Sequence, residues 1–141
     1  MRLTLEEIKA ILPHREPFLF VDEVLEYTPM KGGIGIKHVL SDAYYFKGHF
    51  PDHPVMPGVL ITESLAQMGA IVLLSDPLYQ GKIAYFTGIE KARFRRKVIP
   101  GDTLRLEVEI TKMRGRFGFG SAIATVEGEV ACEAQFSFVV G

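Results

Sequence analysis

From residue 59 to 74 apolar side chains run almost all the way round a helical circumference, and only Thr62, Glu63, Ser64, Gln67 and Gly69 interrupt them. A helix apolar on every side is a buried helix, and this one takes a carboxylic acid inside with it. Glu63 and Gln67 lie four apart, on one face. A membrane span is a poor account of the run, because it is shorter than the roughly twenty apolar residues a bilayer requires and carries a charge near its start. The residues before it, 46–58, include Pro51, Pro54 and Pro57, each of which fixes its own φ and biases its predecessor away from helix. The pattern predicts a stiff loop feeding a central helix.

Elsewhere the period is shorter. Thr4 and Glu7 have the spacing of a capping box, with Leu3 and Ile8 placed as a hydrophobic staple, which predicts a helix over residues 5–12 stopped by Pro13. The second half of 18–27 reads as a strand, 28–33 as a turn, and Ile34 and Ile36 as the start of a partner strand reaching towards His38 and Leu40. After the central helix, 75–81 reads as a loop and 83–86 as a strand leading into Gly88. From Lys91 the residues alternate, with Lys91, Arg93, Arg95 and Lys97 on one side, Ala92, Phe94 and Val98 on the other, and Arg96 out of step. Leu104, Leu106, Val108 and Ile110 alternate with Arg105, Glu107, Glu109 and Thr111 as a half-buried strand. A hairpin at Arg114, Gly115 and Arg116 leads to strands over 117–126 and 130–139, joined at 127–129. The order is helix, two strands, long helix, four strands: an α+β arrangement in which a mostly antiparallel sheet curls round one helix. A small sheet with an open edge is expected to pair with its own copy into a continuous-sheet dimer.

Length and composition narrow this picture. At 141 residues, 48% of them hydrophobic, the chain suits a single domain spanning 1–141 with a substantial core. Sixteen basic and 17 acidic residues leave a net charge of −1, so an acidic partner must be met by a local patch rather than a global field. One cysteine, Cys132, precludes an internal disulfide, and the amino-terminal residues lack a signal-peptide pattern, so the expected location is cytoplasmic. The cysteine lies in a strand run and is expected to pack in the core.

Three elements of the central stretch carry chemistry. His49 has the residue type of a general base, although a lone loop histidine is more often only hydrogen-bonded. Glu63 reads either as a buried partner of an arginine or the helix dipole, or as an acid that delivers a proton from an apolar site. The Gly58 amide, at the helix start, has no internal acceptor, and a glycine there lets a ligand approach the main chain. Base, acid and oxyanion donor in one segment point to proton abstraction beside a carbonyl with loss or gain of water. A metal site at His49, Asp52 and His53 is disfavoured by the prolines around them, and the glycines at 115–120 suit a hairpin, not a phosphate loop. His14 and His38 have no partner that the sequence names.

Leu12, Pro13, His14 and Arg15, then Pro17, Phe18, Leu19, Val21 and Asp22, are joined by a second run of matches: Gly48, His49, Phe50, Pro51, Pro54, Pro57, Gly58, Val59, Leu60, Glu63, Ala66 and Gln67. With Ala92, Arg93 and Phe94, and with Pro100, Gly101 and Asp102, the pattern closely resembles the β-hydroxyacyl-acyl carrier protein dehydratases of bacterial type II fatty acid synthesis. The resemblance covers nearly the whole chain. It implies a hotdog fold, usually a hexamer built as a trimer of dimers, and neither cofactor nor metal. It implies that His49 removes the C2 proton of a 3-hydroxyacyl thioester and that Glu63, from the dimer mate, protonates the departing 3-hydroxyl. Gly58 would hold the thioester carbonyl, with Phe50, Pro57 and Val59 as neighbouring substrate contacts. A sister dehydratase/isomerase family carries aspartate where Glu63 stands, which disfavours isomerase activity here. The basic row Lys91, Arg93, Arg95 and Lys97 is the candidate dock for acyl carrier protein, against the alternative of a plain solvated face. A hotdog thioesterase and a non-catalytic acyl-binding module are the competing functions.

Overall fold

The structure is a computed structural model that describes residues 2–141. Its elements follow the expected order: α1 (Leu5–Ile11), β1 (Glu23–Thr28), β2 (Gly32–His38), α2 (Gly58–Leu74), β3 (Ala84–Phe94), β4 (Thr103–Arg114), β5 (Phe117–Val126) and β6 (Glu129–Val140). Short 3-10 turns at Tyr44–Lys47 and Pro77–Tyr79 were not legible in the pattern. The capping box of α1 is complete, with the Thr4 hydroxyl accepting from the Glu7 amide and the Glu7 carboxylate accepting from the Thr4 amide. Leu3 and Ile8 are both buried.

All six strands form one antiparallel sheet in the order β1-β2-β4-β5-β6-β3, so β1 and β3 are its edges. The sheet wraps α2, as a hotdog fold requires. From Ile61 to Leu74 only Glu63 among the helix residues is not buried. Its small polar residues satisfy themselves locally, Thr62 on the Val59 carbonyl and Ser64 on the Leu60 carbonyl. No helix among the described residues is long and apolar enough to cross a membrane.

Two expectations need correction at β2. Gly32 and Gly33, read as turn residues, belong to the strand, and Leu40 lies beyond it. The reason is close packing: a Cβ at Gly33 would meet Met68 Cε at 2.9 Å, and one at Gly35 would meet Met68 Sδ at 2.6 Å. Glycine lets the sheet approach the helix backbone here. Gly33 and Gly35 pair with Val108 and Leu106 on the inner face, whereas Ile34 and Ile36 stand opposite Glu107 and Arg105 on the outer one.

A third correction concerns β3. The expected break at Gly88 is a bulge inside one continuous strand, and a second bulge falls between Glu90 and Arg93, where Lys91 has φ 53°. The strand ends at Phe94, so Arg95 and Lys97 follow it rather than continuing its alternation. Cys132 is fully buried opposite Phe94 and Ala124, the core role expected for it.

Candidate active site

The loop from His49 to Pro57 holds itself by its own main chain. The Phe50 and His53 peptides bond to each other, the Val55 amide donates to the His49 carbonyl at 2.9 Å, and the Met56 amide donates to the Val98 carbonyl at 2.8 Å. His49 is thereby anchored: its amide donates to the Tyr45 carbonyl, and Phe50 stacks on its ring with centroids 4.1 Å apart. Its Nδ1 lies 2.8 Å from the Val55 carbonyl oxygen. A carbonyl can only accept, so Nδ1 carries a proton and Nε2 of the neutral ring keeps the free lone pair.

His49 lies on the wall of a cavity of about 570 Å³ that Val55, Met56, Gly58, Val59, Ile61 and Phe94 also line, with Arg95, Arg96 and Lys97 at its basic side. Pro57 caps α2 and Gly58 is its first residue. The Leu60 and Ile61 amides turn back to the Pro57 carbonyl, while the Gly58 and Val59 amides have no acceptor among the described residues. These amides and the helix dipole give the cavity a preformed anion-stabilising corner. A Cβ at position 58 would lie 2.8 Å from the Phe94 ring, so the corner exists in this form only with glycine.

Glu63 is not on this wall. It points to the other flank of α2, against the segment between α1 and β1, where its Oε2 accepts from Gln67 Nε2 at 2.9 Å and faces His14 Nε2 at 3.8 Å. Its side chain is 27% exposed, so the expected burial of the carboxyl is only partial in the single chain. Gln67 is completely buried and fully committed, its Nε2 also donating to the Phe18 carbonyl and its Oε1 accepting from the Phe20 amide. The backbone amide can only donate, which fixes which end of the Gln67 amide is oxygen and sets its N–H group towards Glu63.

The basic residues divide. Arg95 is paired with Glu133 at 2.6 Å, which holds the Glu133 carboxyl below its usual range and raises the arginine further. Arg96, out of step in the sequence pattern, reaches Asp102 and Glu129. Lys91, Arg93 and Lys97 are exposed and have no ion pair among the described residues. Sequence reasoning missed the contacts of His14 and Arg96; His14 with Glu63 and Arg96 with Glu129 lie tens of residues apart, and Arg96 with Asp102 only six. A second groove, of about 600 Å³, lies over the glycines of β2 and has Glu107 and Glu109 on its wall but no histidine.

A sheet wrapped about one helix, with an imidazole and that helix's free amides on one cavity wall, is a hotdog domain. Comparison with known proteins says which. Residues 12–135 match the FabA-like domain, and the chain belongs to that family. It is 59% identical over 141 residues to the 3-hydroxyacyl-[acyl-carrier-protein] dehydratase FabZ of Clostridium novyi (strain NT), covering all of this chain and 99% of that protein. It is 56% identical over 139 residues to the protein of the same name from Clostridium botulinum (strain Kyoto / Type A2), covering 99% and 96% of the two chains. Among solved structures, the dehydratase heterocomplex ApeI:P from Xenorhabdus doucetiae superposes with a TM-score of 0.80 at 15% identity, over 94% of this chain and 89% of that one, a likeness of fold alone.

Proposed function

We propose that this protein removes water from a 3-hydroxyacyl chain carried as a thioester on acyl carrier protein, giving the trans-2-enoyl thioester of fatty acid elongation. His49 Nε2 takes the C2 proton. The thioester carbonyl rests on the Gly58 amide, where charge developing on its oxygen meets the start of α2. Glu63 gives its proton to the 3-hydroxyl as the C3–O bond breaks, and water leaves. Phe50, Pro57 and Val59 border the chain of the substrate. The observation that carries this reading is the Val55 carbonyl on His49 Nδ1, because it prepares the ring as a base on the same cavity wall as the Gly58 amide.

Because Glu63 lies on the opposite flank of α2, each site takes its acid from a second copy of the chain. Support comes from the cavity wall, where Phe94 and Val59 are exposed, Val59 to 72%, from the exposed Phe50 stacked on His49, and from β3, an edge strand with an unpaired side. The assembly is a dimer with a continuous sheet, three of which make a hexamer. Lys91, Arg93 and Lys97, with Arg95 held by Glu133, form the dock for the acidic carrier beside the cavity. The buried, unpaired Cys132 suits the reducing cytoplasm as the place of action.

The test is incubation with a 3-hydroxyacyl carrier substrate, read by the ultraviolet absorbance of the conjugated enoyl thioester. His49→Ala and Glu63→Gln should each slow its appearance by about a hundred- to ten-thousand-fold while circular dichroism stays unchanged. Release of free thiol without enoyl product would make the protein a thioesterase instead.

A further inference from the structure

We propose that His14 is a positioning residue for the Glu63 acid, one that decides which carboxyl oxygen carries the transferable proton. The inference rests on Glu63 being the acid, and it starts from the segment that presents His14. Leu12 caps α1 and Pro13 follows it, so the chain leaves the helix at this point. Arg15 then pins the exit: its guanidinium donates to the Lys9 carbonyl at 3.0 Å, the Leu12 carbonyl at 2.8 Å and the His14 carbonyl at 2.6 Å. Lys9 meets Glu16 at 2.9 Å on the far side of the same bend. A loop tied this many times holds its histidine in one place.

That place is beside Glu63. His14 Nε2 stands 3.8 Å from Glu63 Oε2, longer than a hydrogen bond, so an N–H there acts on the carboxyl as a nearby dipole. His14 Nδ1 is buried without a hydrogen-bond partner among the described residues. A buried N–H with no acceptor is the rarer and costlier orphan, so the proton of the neutral ring sits on Nε2, directed at the carboxyl. Oε2 therefore faces two N–H groups, one from His14 and one from Gln67. Oε1 has no hydrogen-bond partner among the described residues. A carboxylic acid flanked in this way keeps the donors on Oε2 and its own proton on Oε1. When the Oε1–H bond breaks and the proton passes to the departing hydroxyl, the negative charge left on Glu63 already holds the Gln67 N–H and has the His14 N–H a short approach away. Only that small closure is needed at that moment.

The experiment compares purified His14→Phe, His14→Gln and His14→Asn with Glu63→Gln and with the combined His14→Phe and Glu63→Gln chain, all as steady-state dehydration of a 3-hydroxyacyl thioester at high enzyme concentration. Glutamine can place an N–H near the position of Nε2, whereas asparagine reaches only as far as Nδ1. His14→Phe should lose about ten- to a hundred-fold in kcat with KM within about three-fold. His14→Gln should recover most of that loss and His14→Asn little of it, and His14→Phe should subtract nothing further from Glu63→Gln. Wild-type kcat in His14→Phe would overturn the proposal. So would equal losses in the glutamine and asparagine chains, which mark packing, or a full additional loss on top of Glu63→Gln, which marks action independent of Glu63. Should the phenylalanine chain not fold, the glutamine and asparagine pair decides alone. Full turnover by Glu63→Gln would instead remove the acid itself, a result distinct from failure of the His14 contact.

Discussion

Gln67 Nε2 donates to Glu63 Oε2 at 2.9 Å from one turn further along α2, and the same amide closes a bridge to the Phe18 carbonyl and the Phe20 amide. One fully buried side chain thus ties Glu63 to the segment that leads into β1. Replacing it removes three hydrogen bonds and leaves the Phe20 N–H and Phe18 C=O without their partner. Gln67→Met should lower stability by about 1–3 kcal/mol for each orphaned group and reduce kcat together with it. Urea unfolding alongside steady-state assay checks both; an unchanged midpoint would show that the bridge is dispensable.

Gly58 is the second point at which geometry speaks. An alanine there drives its Cβ to 2.8 Å from the Phe94 ring, so Gly58→Ala should move either the ring or the helix start and cost about ten-fold or more in kcat/KM. Trimming the ring in the same chain, Phe94→Leu, should return part of the loss. If the double variant is no better than Gly58→Ala alone, crowding against Phe94 is not the cause.

Much of this arrangement was legible in the chain, for identifiable reasons. Capping chemistry is local, so Thr4 and Glu7 located α1; continuous apolarity and the four-residue spacing of Glu63 and Gln67 located α2 and put both on one face. Periodicity failed where the backbone departs from regularity or where a contact is long-range. Lys91 adopts φ 53° within a bulge, which period-two reading cannot register, so a straight basic row in the sequence is a bent one in the fold. The glycines of β2 looked like a turn because the Met68 side chain that requires them is distant in sequence. His14 had no visible partner because Glu63 meets it only after the chain has folded round α2.

The charge distribution yields a test of docking. Lys91 and Arg93 are exposed and lack ion pairs among the described residues, whereas Arg95 is occupied by Glu133. Lys91→Glu combined with Arg93→Glu should raise KM for carrier-bound substrate by about ten-fold at low ionic strength and leave a small thioester analogue unaffected. Added salt should shrink the difference. Equal loss on both substrates would mark a packing defect rather than a docking surface.

Burial pushes the Cys132 thiol up to about 11, with the nearby Glu133 charge adding to the effect. A thiol so placed holds almost no thiolate at about pH 8 and is shielded as well. The folded protein should therefore resist an aromatic disulfide reagent and react with one equivalent only on unfolding in guanidinium chloride. Rapid labelling of the native protein would contradict this.

Division of base and acid between two chains is the central claim, and co-expression of His49→Ala chains with Glu63→Gln chains tests it most directly. With random pairing about half the dimers are mixed, and each mixed dimer has one site with both groups intact and one with neither. Dehydratase activity should return to about a quarter of wild type, although each variant alone is nearly inactive. Verified mixed dimers with no recovered activity would show that each chain uses its own His49 and Glu63, and the shared site would be wrong.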